Sequence, residues 1–115
     1  MSILVEGTRL RMVRGDSGRI TVSCTGADGT PRPFEAGETV VFTVKRSYTD
    51  LEALVEKEMV LQETGEAVVD MLPEDTAALP VRSYAYDVRL RTAAGEVHTV
   101  VPRSELVLEE EIGHV

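Results

Sequence analysis

Apolar and polar residues alternate along much of this chain, and most clearly from Tyr84 to Arg91. Tyr84, Tyr86, Val88 and Leu90 fall on one side and Ala85, Asp87, Arg89 and Arg91 on the other, the period of two of a half-buried strand. Shorter runs repeat the pattern. Thr8–Val13 sets Leu10 and Met12 against Arg9 and Arg11, and Arg19–Cys24 sets Ile20, Val22 and Cys24 against Arg19, Thr21 and Ser23. Glu38–Lys45 turns Val40, Phe42 and Val44 inward, with Val41 and Thr43 on its other face. Ala67–Met71 turns Val69 and Met71 inward, and Glu96–Val101 pairs back along the tyrosine strand. After a break at Pro102-Arg103-Ser104, Leu106–Leu108 forms a last short strand.

Turn formers separate these runs. Arg14-Gly15-Asp16-Ser17, Glu63-Thr64-Gly65-Glu66 and Ala93-Ala94-Gly95 read as turns, and Asp28-Gly29 closes a tight hairpin within a loop over 25–37. The stretch 48–62 fits two templates. Leu51, Leu54, Val55 and Met59 share one helical face, with Thr49 or Asp50 as cap; Val55, Met59 and Leu61 fit the inward positions of a strand. The short strands on both sides favour the strand.

Ahead of the tyrosine strand, Pro73 opens a short helical turn near 73–78, and Glu74, Asp75 and Thr76 bring oxygens to cap its free N–H groups. Immunoglobulin-like sandwiches cross between sheets by such a turn, and there a tyrosine hydroxyl ties the corner to nearby backbone. The pattern therefore predicts an all-β, immunoglobulin-like two-sheet sandwich of about seven or eight short antiparallel strands. Pro73, Glu74, Asp75, Thr76, Tyr84 and Tyr86 form its structural corner.

Length and composition narrow the class further. The chain's 115 residues make one domain, 1–115, with a strand-rich core over about 8–110. Trp is absent and only 4% of residues are aromatic, so the core rests on aliphatic residues and methionine. The single Cys24 forms no internal disulfide, which fits a reducing compartment; on an apolar face it reads as a small buried hydrophobe. A net charge of −8 argues against nucleic acid, since phosphate binding needs a basic stripe. The opening MSILVEGT lacks the basic leader and apolar run of a signal peptide, and no segment is long enough to span a bilayer. Cytoplasmic synthesis without membrane insertion is the expectation.

Candidate chemistry is sparse. His98 and His114 share no ligand spacing with Cys24 or with an acidic pair, so neither a metal site nor a cofactor is expected. The acidic clusters at Glu56/Glu58, Glu74-Asp75 and Glu109–Glu111 lack the form of a calcium loop. No Ser-His-Asp order, glycine-rich phosphate loop or general base with a partner is visible. The sequence reads as a non-enzyme. Arg14-Gly15-Asp16-Ser17 spells an integrin-binding tetrapeptide, yet the same letters make a good turn.

Several segments occur together in a recognisable order: Arg14-Gly15-Asp16-Ser17, Val41-Phe42-Thr43-Val44-Lys45, Leu72-Pro73-Glu74-Asp75-Thr76, Tyr84-Ala85-Tyr86-Asp87-Val88 and Gly95-Glu96-Val97-His98-Thr99-Val100. Over roughly residues 9 to 110 the chain resembles small tailed-phage and prophage proteins related to the N-terminal β-sandwich domain of the phage baseplate upper protein. It departs from them at Arg82-Ser83 and at Pro102-Arg103-Ser104, where the family tends to carry glycine, and both departures concern turn geometry. The resemblance implies a structural adaptor of a tail or baseplate, assembled into the virion as a homo-oligomer and against other tail proteins. Val41 and Val60, on one partly apolar outer face, are the expected contact positions. The competing expectation is a free-standing binding module for carbohydrate or a cell-surface ligand. Such a module exposes an aromatic platform, and with Tyr84 and Tyr86 turned to the core only Tyr48 remains for it.

Overall fold

In the computed structural model, which describes residues 4–113 and side chains from residue 7 onward, the alternating run becomes β8 (Ser83–Arg91). It sits between β4 (Thr39–Lys45) and β9 (Val97–Glu109), antiparallel to both. β9 continues the sheet to β2 (Arg9–Val13) and β1 (Leu4–Glu6), while β4 continues it to β5 (Val55–Glu58). A second, three-stranded sheet holds β3 (Gly18–Val22), β7 (Ala67–Met71) and β6 (Val60–Leu61) in the order β3-β7-β6. With β4, β8 and β9 in one sheet and β3, β7 and β6 in the other, the chain is an immunoglobulin-like sandwich. One pairing departs from the antiparallel expectation. β2 runs parallel to β9, from Leu10 opposite Leu106 to Val13 opposite Glu109.

The strands exist because their inward residues meet. Val40, Phe42, Val44, Val88 and Leu90 of the large sheet pack against Ile20, Val69 and Met71 of the small one in a single core. Phe42 is fully buried, its ring 5.5 Å from that of Tyr86, within the range of favourable aromatic pairs. Cys24 is a free thiol, half-buried against the core just beyond β3. Burial, with no disulfide at Cys24, therefore holds the sheets together.

The ambiguous stretch resolves to strand. Leu51 is fully exposed, which removes the helical face, while Val55 and Met59 are buried and Leu61 packs on the core. Met59 donates its N–H to the Val40 carbonyl at 2.7 Å, and there the chain leaves the large sheet for the small one. The expected break at Pro102-Arg103-Ser104 is corrected: β9 runs unbroken through it. Tyr86 pairs with Ser104 and Val88 with Val101, so Pro102 and Arg103 together face Asp87 in a bulge. β2 lies along β9 only from Leu106 onward, so the missing proline N–H falls on a stretch with an open edge.

Two contacts close the end of the sandwich near the 25–37 loop. Phe34, buried in the core, donates its N–H to the Gly65 carbonyl at 2.9 Å. Gly65 has φ +87°, and a Cβ there would lie 2.5 Å from Pro33 Cβ. Arg32 clasps Glu38 through two hydrogen bonds of 2.7 and 2.5 Å, with the Glu38 side chain only 4% exposed. The Arg32 hydrogen bonds, aided by the Glu35 N–H, pull the Glu38 carboxyl from 4.5 down to about 2.

Gly65→Ala is expected to lower the unfolding free energy by about 2–3 kcal/mol in urea titration, from backbone strain plus the clash with Pro33; parent-like stability would contradict that packing. Glu38→Gln is expected to cost about 2 kcal/mol at neutral pH. A carboxyl with a depressed folded pKa stabilises fully above the ordinary 4.5 and loses that effect as pH falls toward 2. The gap between parent and variant should therefore close over that window.

Candidate functional site

At the corner, Leu72 leads into the helical turn α1 (Pro73–Thr76). Of the three residues expected to cap it, only Asp75 does so. Its carboxylate accepts the Leu72 N–H at 2.7 Å and pairs with Lys57 at 2.6 Å. Glu74 points to solvent. Thr76, 1% exposed, turns its hydroxyl away from the helix to accept the Gly15 N–H at 2.8 Å. This is a correction with a simple cause: Thr76 is the last residue of the turn, away from the free N–H groups at its start, and its buried hydroxyl meets the Gly15 N–H of the neighbouring turn.

Arg14 completes the clamp. It forks onto Glu111 at 2.9–3.4 Å and donates to the Leu79 carbonyl at 3.2 Å, so the Arg-Gly-Asp-Ser turn is bound into the corner. Tyr84 donates its hydroxyl to the Pro80 carbonyl at 2.6 Å, the hydrogen bond of a tyrosine corner. Tyr86, two residues on, donates to the Thr8 carbonyl and ties β8 to the lead-in of β2. Burial pushes both phenols above their ordinary pKa. Of the six expected corner residues, Pro73 opens the turn, Asp75, Thr76, Tyr84 and Tyr86 make the contacts that hold it, and Glu74 takes no part.

A broad concavity lies elsewhere, on the solvent face of the large sheet. It is an open groove of about 470 Å³ whose floor runs along the outward rows of β4 and β8, from Thr39 and Arg91 to Lys45 and Ala85. Val41, half-buried, lies in its floor opposite Arg89. Tyr48 stands in the wall, 62% exposed, with the Arg103 guanidinium stacked 3.8 Å above its ring. Asp87 and Glu56 bring carboxylates, and Lys45, Arg89, Arg91 and Arg103 bring cations.

Val60, also 62% exposed, is on β6 in the other sheet, opposite Val68. The expectation of one shared outer face is corrected: the two contact valines belong to different sheets, because the chain crosses over at Met59. Sequence reasoning did not bring the groove's cations together, because Lys45, Arg89 and Arg103 meet only through the pairing of β4, β8 and β9. The alternation that placed Arg89 and Arg91 outward was the one available signal.

A second crevice of about 330 Å³ between β2 and β3 is lined by Leu10, Ile20 and Val22. Arg19 at its mouth is paired with Asp70 at 2.7 Å, which draws the Asp70 carboxyl below its ordinary pKa. His98 is exposed beside Glu96 at 3.6 Å, and His114 lies outside the described residues. Among the described residues no group of three or more His, Cys, Asp or Glu is placed to hold a metal ion, and no helix is long and apolar enough to cross a membrane. No protein-family model matches the chain, and no curated protein matches it. The fold and the groove therefore define it as an immunoglobulin-like domain with a mixed-charge face.

Thr76→Val keeps the shape of the corner but strands the Gly15 N–H. It is expected to cost about 1–3 kcal/mol, while the adjacent Glu74→Ala stays within about 0.5 kcal/mol of the parent. Urea unfolding of both variants checks this, and equal stabilities would contradict the clamp.

Proposed function

We propose that this protein is a non-enzymatic adaptor of a phage or prophage tail or baseplate, acting through protein–protein interfaces. The observation that carries the reading is where the resemblance falls. Segments 73–76 and 84–88, its most specific pieces, fold into the tyrosine corner and the central strand. What is alike is thus what sets the sandwich, and fold alone does not fix function. One exposed and one half-buried valine add support. Val60 on the edge strand β6 and Val41 in the groove floor offer two separate faces, which is what a subunit in a closed ring needs toward neighbours and toward larger components.

A second reading, a carbohydrate or cell-surface binding module, is favoured by one observation: Tyr48 stands in an open groove with Glu56 and Asp87. Against it, Arg103 covers one face of that ring at 3.8 Å, and a sugar stacks on an open ring face.

Mass spectrometry of density-purified particles, released after induction of the host, tests the first reading. The expected result is peptides of this chain at a fixed ratio to tail proteins. Absence from particles, with the soluble protein abundant in the lysate, would overturn it.

A further inference from the structure

The outward face of the large sheet treats charge in two ways. Over β2 and β9, Arg9 pairs with Glu105 at 2.8 Å and Arg11 with Glu109 at 3.1 Å. Elsewhere Arg14, Arg19 and Arg32 are likewise bound to carboxylates. Over β4 and β8 the pattern stops. Lys45, Arg89, Arg91 and Arg103 line the groove without an ion pair among the described residues; Asp87 and Glu56 are the carboxylates in its lining, and Glu58 lies opposite Val41 on the same face. An acidic chain of net charge −8 thus holds a local excess of positive charge on one open surface.

The spacing of these cations selects a ligand shape. Arg89 and Arg91 leave the same face of β8 two residues apart, about 7 Å in an extended strand. An extended peptide repeats its own same-face side chains at that interval, so carboxylates at alternate positions meet both guanidiniums together. From Thr39 to Lys45 the floor runs about 20 Å, room for a segment of six or so residues. At the Lys45 end, the Arg103 plane is fixed by stacking on Tyr48 at 3.8 Å. A guanidinium held that way keeps its in-plane donors for a carboxylate. Val41 in the floor meets whatever apolar group lies between the acids.

We infer that this groove docks an extended acidic segment of a partner protein, with carboxylates at alternating positions on Arg89 and Arg91 and a further one at Lys45 and Arg103. The inference rests on the adaptor reading in taking a protein segment as the ligand. Nucleic acid fits poorly, because phosphate binding needs a continuous basic stripe and here Asp87 and Glu56 interrupt the cations.

The test is a titration followed by amide ¹H–¹⁵N spectra, using a synthetic peptide of alternating Glu and Val, its Gln-for-Glu counterpart, and an oligogalacturonate. The Glu peptide should shift the amides of residues 39–45 and 85–91. The Gln peptide should bind about tenfold more weakly or worse, and raising salt from about 50 mM to about 300 mM should weaken the Glu peptide. Arg89→Gln combined with Arg91→Gln should lower its affinity about tenfold, while Arg19→Gln, on the other sheet, should leave it unchanged. The same spectra show whether each variant is folded. Equal binding of the Glu and Gln peptides, or a double variant that binds like the parent, would overturn the inference. Tighter binding of the oligogalacturonate on the same amides would overturn it in favour of an acidic sugar. Peptide binding by a chain absent from particles would retire the adaptor reading alone, and a particle component that ignores the peptide would retire the groove alone.

Discussion

The register of β8 is the constraint on which the rest of the molecule depends. A strand's side chains alternate between faces, so a slip of one residue would send Tyr84, Tyr86, Val88 and Leu90 to solvent and bring Asp87, Arg89 and Arg91 into the core. Burial alone strongly disfavours that slip. The tyrosine hydroxyls add direction. Tyr84 reaches back to Pro80 within its own corner, and Tyr86 reaches across to Thr8 ahead of β2. Each is satisfied in one register only. The strand is thereby pinned by its apolar faces and, at its start, by two polar tips.

Fixing β8 fixes the surface as well. Its outward row lies between those of β4 and β9, and the bulge at Pro102 and Arg103 sits across from Asp87. Arg103 thus comes from a misaligned stretch of β9 and Tyr48 from the loop after β4, and they stack over the same groove. Charge is distributed to match. Where strands must be held in place, as at Arg14 and Glu111 or Arg32 and Glu38, opposite charges meet and neutralise each other. Along the groove they do not, and exposed cations of that kind cost little in water. Their worth appears only when an anion arrives and displaces that water.

Much of the fold was legible in the sequence, for a physical reason. Inward positions of a two-layer sandwich must be apolar at every second residue, so β2, β3, β4, β7 and β8 announce themselves. The crossing at Met59 was harder. Its flanks satisfy a helical template as well as a strand, and only tertiary packing decides between them. Pro102 misled because proline stops a regular ladder, whereas here a bulge and an open edge absorb it. The parallel pairing of β2 with β9 joins positions nearly a hundred residues apart and leaves no local mark. The groove was less legible still. Arg89 and Arg91 were visible as outward residues, but a solvent-facing row carries no pattern that separates a binding surface from an ordinary one. Thr76 shows the same limit at the corner. Its type announced a cap, and its place in the fold gave its hydroxyl to Gly15.

The most direct test of this account is a set of nuclear Overhauser contacts between side chains across β4 and β8 in the labelled protein. The account predicts contacts between the Val88 methyls and the Phe42 ring in the core, and between Arg89 and the Val41 methyls on the solvent face. Contacts from Arg89 or Asp87 to the Phe42 ring would place β8 one residue out of register, and would contradict the core, the corner and the groove together.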